Sequence, residues 1–310
     1  MDGEKSYDVI VIGAGAAGMT ATLYASRANL KVALLDRGIY GGQMNNTAEV
    51  ENYPGFKSIL GPDLAKEMYE STIQFGADFK YGSVEDLTVD DEGIKHVKTD
   101  SGILTAPAVI IATGSQYRKL GIPGEDEYIG KGVSYCAVCD GAFYRNKNVV
   151  VVGGGDSAVE ESAYLAKLVN DVNVIHRRDQ LRAQKILQER AFKNDKIHFT
   201  WDTIVTEVVG DSRKVTGVMT HNKKNGEDQL VATAGIFIYI GNIPMTTPFK
   251  DLGITDEQGW VLTNDQMETK VPGIFAVGDV RKKDLRQITT AVGDGGIAGQ
   301  NAFSYLQSLK

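Results

Sequence analysis

Two stretches of the chain follow the same plan 140 positions apart. "DVIVIGAGAAGMTATLYASRANLKVALLD" runs from Asp8 to Asp36, and "NVVVVGGGDSAVEESAYLAKLVNDVNVIH" from Asn148 to His176. Each opens on a short β-branched apolar run, the mark of a strand buried on both faces. Each passes through a glycine-rich turn into an alanine-rich helical stretch and ends in a second apolar strand, "KVALLD" or "DVNVIH". This order, repeated in register, predicts an α/β fold with two Rossmann-like (doubly wound, three-layer) domains, each able to bind a dinucleotide.

A glycine triplet alone is a weak signal, because tight turns use the same residues. Here Gly13, Gly15 and Gly18 stand 140 positions before Gly153, Gly155 and Ala158, with the strand and helix around them repeated as well. The first small residue permits the turn, the second lets backbone N–H groups approach a pyrophosphate, and the third packs helix on strand. The helix N-terminus adds partial positive charge. The copies differ where the ribose is read. The first ends in Asp36, whose carboxylate can accept from an unmodified ribose and would repel a 2′-phosphate. The second ends in "HRRDQLRA", with His176, Arg177, Arg178 and Arg182. Guanidinium groups bind phosphate bidentately. The expectation is FAD or NAD in the first site and NADP in the second.

Net charge is −7, from 40 acidic and 33 basic residues, which leaves no basic face for nucleic acid. Apolar content of 42% and charged content of 24% are those of an ordinary globular protein. The opening "MDGEKSYDV" lacks the apolar core of a signal peptide. The nearest approach to a membrane span, 9–25, contains the glycines of the first turn. A cytoplasmic protein with no membrane partner is expected.

Both cysteines fall in "SYCAVCDG" (134–141). A structural zinc site wants four ligands, and the four histidines show no metal-ligand spacing, so no metal is expected. A redox-active Cys136–Cys139 pair leads over two inert buried thiols.

Two further segments suit a flavin in the first site. "RGIYGGQMNNTAEVENYPG" (37–55) is a polar loop rich in glycine and amides. "GIFAVGDVRKKDLRQITTAVGDGGIAGQNA" (273–302) reads as a buried strand, a Gly-Asp corner, a basic loop and a helix. Asp279 at that strand end could hold ribityl hydroxyls, or simply cap a turn. The second dinucleotide unit is thus inserted into the first. The expected map is an FAD-binding domain at 1–115 and 246–310 and an NADPH-binding domain at 116–245 carrying the cysteines. Two thin Gly/Pro-containing crossings make a hinge.

In this order "GAGAAG", "GGQ", "ENYPG", "ATG", "CAVCDGA", "GGGDSA", "HRRDQLRA" and "GDVRKKDLRQ" resemble the bacterial low-molecular-weight thioredoxin reductases over essentially the whole chain. The resemblance implies a homodimeric flavoprotein that passes electrons from NADPH through FAD and the Cys136–Cys139 pair to thioredoxin. It implies FAD contacts at Gly13, Gly15, Gly18, Asp36, Gly42, Gln43, Asn52, Asp279, Arg286 and Gln287. Neighbouring positions of the same motifs join that set: Ala16, Arg37, Gly41 and Thr47, then Val84, Ala112, Thr113 and Gly114, and finally Gly278 and Ile288. NADPH contacts fall on Ser157, His176, Arg177, Arg178 and Arg182, with Gly153, Gly155, Asp156 and Ala158 of the turn and Ile240 and Gly241. Ala16 stands where the family often has proline, which the turn tolerates.

Asp140 is the natural proton carrier beside the pair. A carboxylate next to a thiolate raises the thiol pKa, so its expected role is acid/base work, with helix N-capping as the alternative. Nicotinamide, disulfide and an external protein must all be served. The family does this by rotating one domain about its crossings, and the crossings here would permit it. The alternative acceptor is another thioredoxin-like or a peroxiredoxin-type protein. His96, His198 and His221 lack a motif, and Trp201 and Trp260 are expected to pack rather than to stack on a cofactor.

Overall fold

The computed structural model describes residues 5–47 and 49–310. The opening residues 1–4, which belong to the stretch where no signal peptide is expected, lie outside them, as does Ala48 of the polar loop. Two compact units divide the chain, one ending at Gln116 and resuming over Ile243–Lys310, the other Tyr117–Asn242. The return falls a few residues before the expected 245/246 boundary. Met245 is bonded into the first unit, its N–H to Gly114 O at 3.0 Å and its carbonyl to Thr113 Oγ1 at 2.7 Å. The crossings Ser115–Tyr117 and Asn242–Pro244 pair with each other as a separate two-stranded ribbon.

The first unit is built on a five-stranded parallel sheet in the order Ile274–Ala276, Ala108–Ile111, Val9–Ile12, Val32–Asp36, Asp78–Tyr81. Alternate side chains of a strand point to opposite faces, which explains the unbroken apolar run. Val9 and Val11 pack with Ala17 and Ala21 of the helix Ala16–Arg27 and with Ala298 and Ala302 of the helix Ile288–Ser308. Ile10 and Ile12 pack on the other side with Leu87 and Val97. Those two belong to a four-stranded sheet, mostly antiparallel, that forms the third layer.

The second unit repeats this plan. Its parallel sheet runs Val133–Ser134, Gly235–Tyr239, Asn148–Gly153, Asp171–Ile175, Ile197–Thr200. Val149 and Val151 face the helical side with Ala158 and Leu165. Val150 and Val152 face Val208 and Val218 of a three-stranded antiparallel sheet. Each unit is therefore three-layered and Rossmann-like, with a β third layer that the repeated turn does not signal. Among the described residues no helix is long and apolar enough to cross a membrane.

Candidate functional site

Parallel strands all end on the same edge of their sheet, so the segments that follow them collect there. In the first unit these are the turn after Ile12, the loop after Asp36, Ala112–Gly114 after Ile111, and Gly278–Asp279 after Ala276. The sheet registers thus bring most of the expected FAD residues to one edge.

The first turn is tight for steric reasons. Gly13 has φ +107°, and a Cβ there or on Gly18 would run into the backbone oxygen of Ala112 or of Gly13. A Cβ on Gly15 would meet nothing within 4 Å, so the face of the turn that a pyrophosphate would approach is open. The helix Ala16–Arg27 starts there with no side-chain cap and no acidic residue in its first turn, which leaves donors pointing outward. Asp36 Oδ2 accepts from Ala14 N at 2.7 Å and Oδ1 from Gly38 N at 2.9 Å. The carboxylate therefore pins turn to strand end, and its remaining lone pairs are what a ribose could use. Exposed Arg37 follows it. Val84 begins a strand of the neighbouring β layer, close to Asp36 through the Gly82 N–H, which donates to Asp36 O at 2.9 Å.

The polar loop folds back on this edge. Gly41 and Gly42 have φ of +110° and +55°, Gly41 N donates to Ala14 O at 2.7 Å, and Gln43 Nε2 donates to Ser115 O at 3.2 Å. Thr47 Oγ1 bonds Gln43 O. Asn52 Nδ2 donates to Gln287 Oε1 at 3.0 Å, joining positions 235 residues apart. Gln287 is the N-cap of the last helix, which Ile288 begins. Asp279 does not act as a side-chain cap. Its Oδ1 is buried and has no hydrogen-bond partner among the described residues, and burial pushes its carboxyl up. An orphaned buried acceptor at a strand's carboxyl end is what a ribityl hydroxyl would satisfy.

Two supporting residues carry no local signal. The Arg286 guanidinium lies 3.9 Å from the centre of the Trp260 ring, so Trp260 packs under a cofactor candidate. Buried Asp294 takes Arg281 and Lys283, each at 2.8 Å, and accepts from Gly278 N at 2.9 Å, which fixes the Gly-Asp corner. Only the chain's tertiary fold brings these partners together.

In the second unit Gly153 has φ +155°, and a Cβ on it would press on Tyr239 O and on Ala158 Cβ. Gly155 is again open and caps the helix Asp156–Leu165, in which Ser157 is exposed and Ala158 fully buried. Asp156 turns away to accept from Gln184 N at 2.7 Å and Gln184 Nε2 at 3.2 Å. The arginine segment is tied to the turn through Arg182 N, which donates to Gly154 O at 2.7 Å. Arg177, Arg178 and Arg182 are exposed. His176 differs from them. It is 5% exposed, lies against Gly154 with its Nε2 near Gln180 O, and burial holds its pKa below the ordinary value. The positive charge of the segment is that of the three arginines, and Trp201 meets the His176 ring edge-on. Ile240 and Gly241 follow the strand Gly235–Tyr239, with Gly241 at φ +115°. His96, His198 and His221 each lie 2.8 Å from an aspartate.

Cys136 and Cys139 form a disulfide in this unit. Cys136 caps the short helix Ala137–Asp140, its Sγ accepting from Cys139 N at 3.2 Å. Asp140 ends that helix and stands at the N-cap position of the following 3-10 turn Gly141–Tyr144, where it makes no side-chain cap hydrogen bond; Ser134 Oγ donates to its Oδ2 at 2.6 Å. Burial pushes the Asp140 carboxyl up, while the Ser134 hydrogen bond opposes the shift. The site thus combines a reducible sulfur pair, a half-buried carboxyl beside it and an arginine-lined dinucleotide turn.

A profile of the family described as pyridine nucleotide-disulphide oxidoreductase matches residues 7–295. The "Thioredoxin reductase" of Listeria monocytogenes is 56% identical over 307 residues, spanning 99% of this chain and 96% of its own length. That of Bacillus subtilis is 55% identical over 310 residues, 100% and 98%. The crystal structure of thioredoxin reductase from Streptococcus pyogenes superposes with a TM-score of 0.94 at 55% identity, covering 99% of this chain and all of that one. The chain therefore belongs to the pyridine nucleotide-disulphide oxidoreductases, in their thioredoxin reductase group.

Proposed function

We propose that this protein is an NADPH-dependent thioredoxin-disulfide reductase. The observation that carries the reading is the Cys136–Cys139 disulfide beside half-buried Asp140, in the same unit as the arginine-lined turn. The first unit is the FAD-binding domain. Its open Gly15 face suits a pyrophosphate, Asp36 a ribose, and the orphaned Asp279 Oδ1 a ribityl hydroxyl. The second unit is the NADPH-binding domain, with Arg177, Arg178 and Arg182 for the 2′-phosphate and the Gly153–Ala158 turn for the pyrophosphate. FAD supplies the two-electron chemistry between nicotinamide and disulfide.

The chain's own chemistry is thiol–disulfide exchange. In the reduced pair, one thiolate attacks a sulfur of the thioredoxin disulfide and displaces the other sulfur, giving a mixed disulfide. The second cysteine then attacks the first, re-forming Cys136–Cys139 and releasing the thioredoxin dithiol. Protons pass between thiols and leaving sulfurs, and Asp140, held by Ser134, is the group placed to carry them. The narrow paired crossings are where the second unit turns to serve nicotinamide and thioredoxin in succession.

Homodimerisation goes through the first unit. Tyr24, Phe75 and Ile297 stand out from its helical side, and Arg27 lies over the Phe75 ring. A disulfide that cycles on NADPH belongs in a reducing compartment, the cytoplasm. The test is to mix purified protein with NADPH and with thioredoxin disulfide. Flavin bleaching followed by thioredoxin reduction supports the reading. Bleaching without thioredoxin reduction indicates another thioredoxin-like or peroxiredoxin-type acceptor.

A further inference from the structure

The turn that holds the cysteines has a third support outside the local motif. A helix leaves its first N–H groups without intrahelical partners. In Ala137–Asp140, Cys139 N donates to Cys136 Sγ and Asp140 N to Cys136 O. The Ala137 N–H, on a fully buried residue that follows Cys136 in the chain, donates to the hydroxyl of Tyr239 at 2.5 Å. Tyr239 ends the strand that pairs with the nucleotide strand, in register with Gly153. It therefore stands between the dithiol turn and the second glycine turn.

A phenol that accepts an N–H still has its own proton to place. Burial, and then the negative charge of Glu161, push the Tyr239 hydroxyl well above its usual range, so that proton stays on. Two carboxyls lie near enough to act on it, Glu161 and Asp140. Asp140 Oδ2 already receives the Ser134 hydroxyl. Glu161 Oε2 is buried and has no hydrogen-bond partner among the described residues. Glu161 therefore offers a buried acceptor oxygen, unpaired among the described residues, within electrostatic reach of a hydroxyl that has a proton to give.

We propose that Tyr239 is a positioning residue for the redox pair, holding the Ala137 amide in the disulfide-bonded turn and transmitting to that turn the charge state of the buried Glu161 carboxyl. This rests on the reading of Cys136–Cys139 as the redox pair. The other titratable groups that face the two residues are Glu160 on Glu161's own helix, Asp140 of the dithiol turn and Tyr117 at the first crossing, all of them acids. Burial raises Glu161 to about 7. Below that pH it is neutral; above it, the carboxylate draws the Tyr239 proton and makes the phenol oxygen a better acceptor for Ala137 N–H. The hold on the disulfide form tightens as pH rises.

The test equilibrates the FAD-loaded protein with dithiothreitol at fixed ratios of reduced to oxidised reagent across neutral pH, then traps thiols with a maleimide. In that exchange the Cys136–Cys139 bond breaks and two protein thiols form, while dithiothreitol gives up two electrons and two protons and closes its own ring. Ionisation of the thiols, of Asp140 and of the flavin also moves this equilibrium with pH but is common to the wild type, Y239F and E161Q, so the difference between each variant and the wild type isolates Glu161 and Tyr239. On passing about pH 7 the wild type should move further toward the disulfide than either Y239F or E161Q, and the two variants should follow the same pH course. At the alkaline end Y239F should lie about fivefold further toward the dithiol, the scale of one buried hydrogen bond. An E161Q pH course that coincides with that of the wild type overturns the proposal, even where Y239F fails to fold. So does a well-folded Y239F that matches the wild type at both ends of the range. Neither thioredoxin nor NADPH enters this measurement, so failure of the reductase reading and failure of this proposal are distinguishable.

Discussion

Ser134 Oγ donates to Asp140 Oδ2 at 2.6 Å, across the turn that contains both cysteines. The same hydroxyl accepts from Cys136 N at 3.1 Å, so a single side chain fixes the start of the dithiol turn and the carboxyl at its end. Its bond to Asp140 favours the ionised carboxylate and opposes the upward shift from burial. Removing it must therefore raise the Asp140 pKa further. S134A should displace upward in pH the inflection that Asp140 gives to the rate of thioredoxin reduction, and D140N should lack that inflection and turn over about a hundredfold more slowly, the usual scale of a lost acid/base group. A full pH profile of both variants checks this; profiles that coincide with the wild type contradict it.

Nucleotide choice rests on charge placed where a 2′-phosphate would lie. Each of R177Q, R178Q and R182Q should raise the KM for NADPH roughly tenfold, in line with loss of a charge-assisted hydrogen bond, with little change for NADH. H176Q should affect both nucleotides alike, because that ring supports the turn at Gly154 and carries little positive charge. Steady-state kinetics with the two nucleotides separate these effects.

Asp279 predicts a spectral result. Its buried Oδ1 has no partner among the described residues, so D279A removes the acceptor a flavin ribityl chain would use and leaves the Asp294 network intact. The variant should fold, with a circular-dichroism spectrum like that of the wild type, and lose flavin absorbance on gel filtration.

Glu161 links pH to stability. Its carboxyl is raised from 4.5 to about 7 by burial and by Glu160. A raised folded-state pKa means that the folded protein holds its proton more tightly than the unfolded chain. This contribution is complete below about pH 4.5 and is lost as pH rises through 7. E161Q keeps a neutral side chain at every pH. Its stability relative to the wild type should therefore increase between pH 5 and 8, by at most about 3 kcal/mol. Urea unfolding at the two pH values measures the change.

What could be read from the chain in advance was what depends on nearby residues. Gly13, Gly15 and Gly18 announce a turn because strand and helix flank them, and the repeat at 153–158 does the same. The cysteine pair is legible through its own spacing. The antiparallel layer escaped because strands such as Val84–Val89, "VEDLTV", mix charge with apolar residues and show no clean alternation. Trp260 under Arg286, Asp294 beneath Gly278 and Tyr239 behind Ala137 escaped for another reason: each meets its partner only after distant segments pack. Asp140 illustrates the same limit. Its position beside Cys139 suggests either a proton carrier or a cap; in the fold it holds the N-cap position of Gly141–Tyr144, but its carboxylate makes no cap bond and accepts from Ser134 instead.

The central claim is that NADPH electrons reach thioredoxin through this one sulfur pair. The direct measurement follows anaerobic NADPH oxidation together with the appearance of thioredoxin thiols, in the wild type and in C136S and C139S. The account predicts one thioredoxin disulfide reduced per NADPH oxidised in the wild type, and none in either serine variant although NADPH still bleaches the flavin of both. Undiminished thioredoxin reduction by either variant would contradict it.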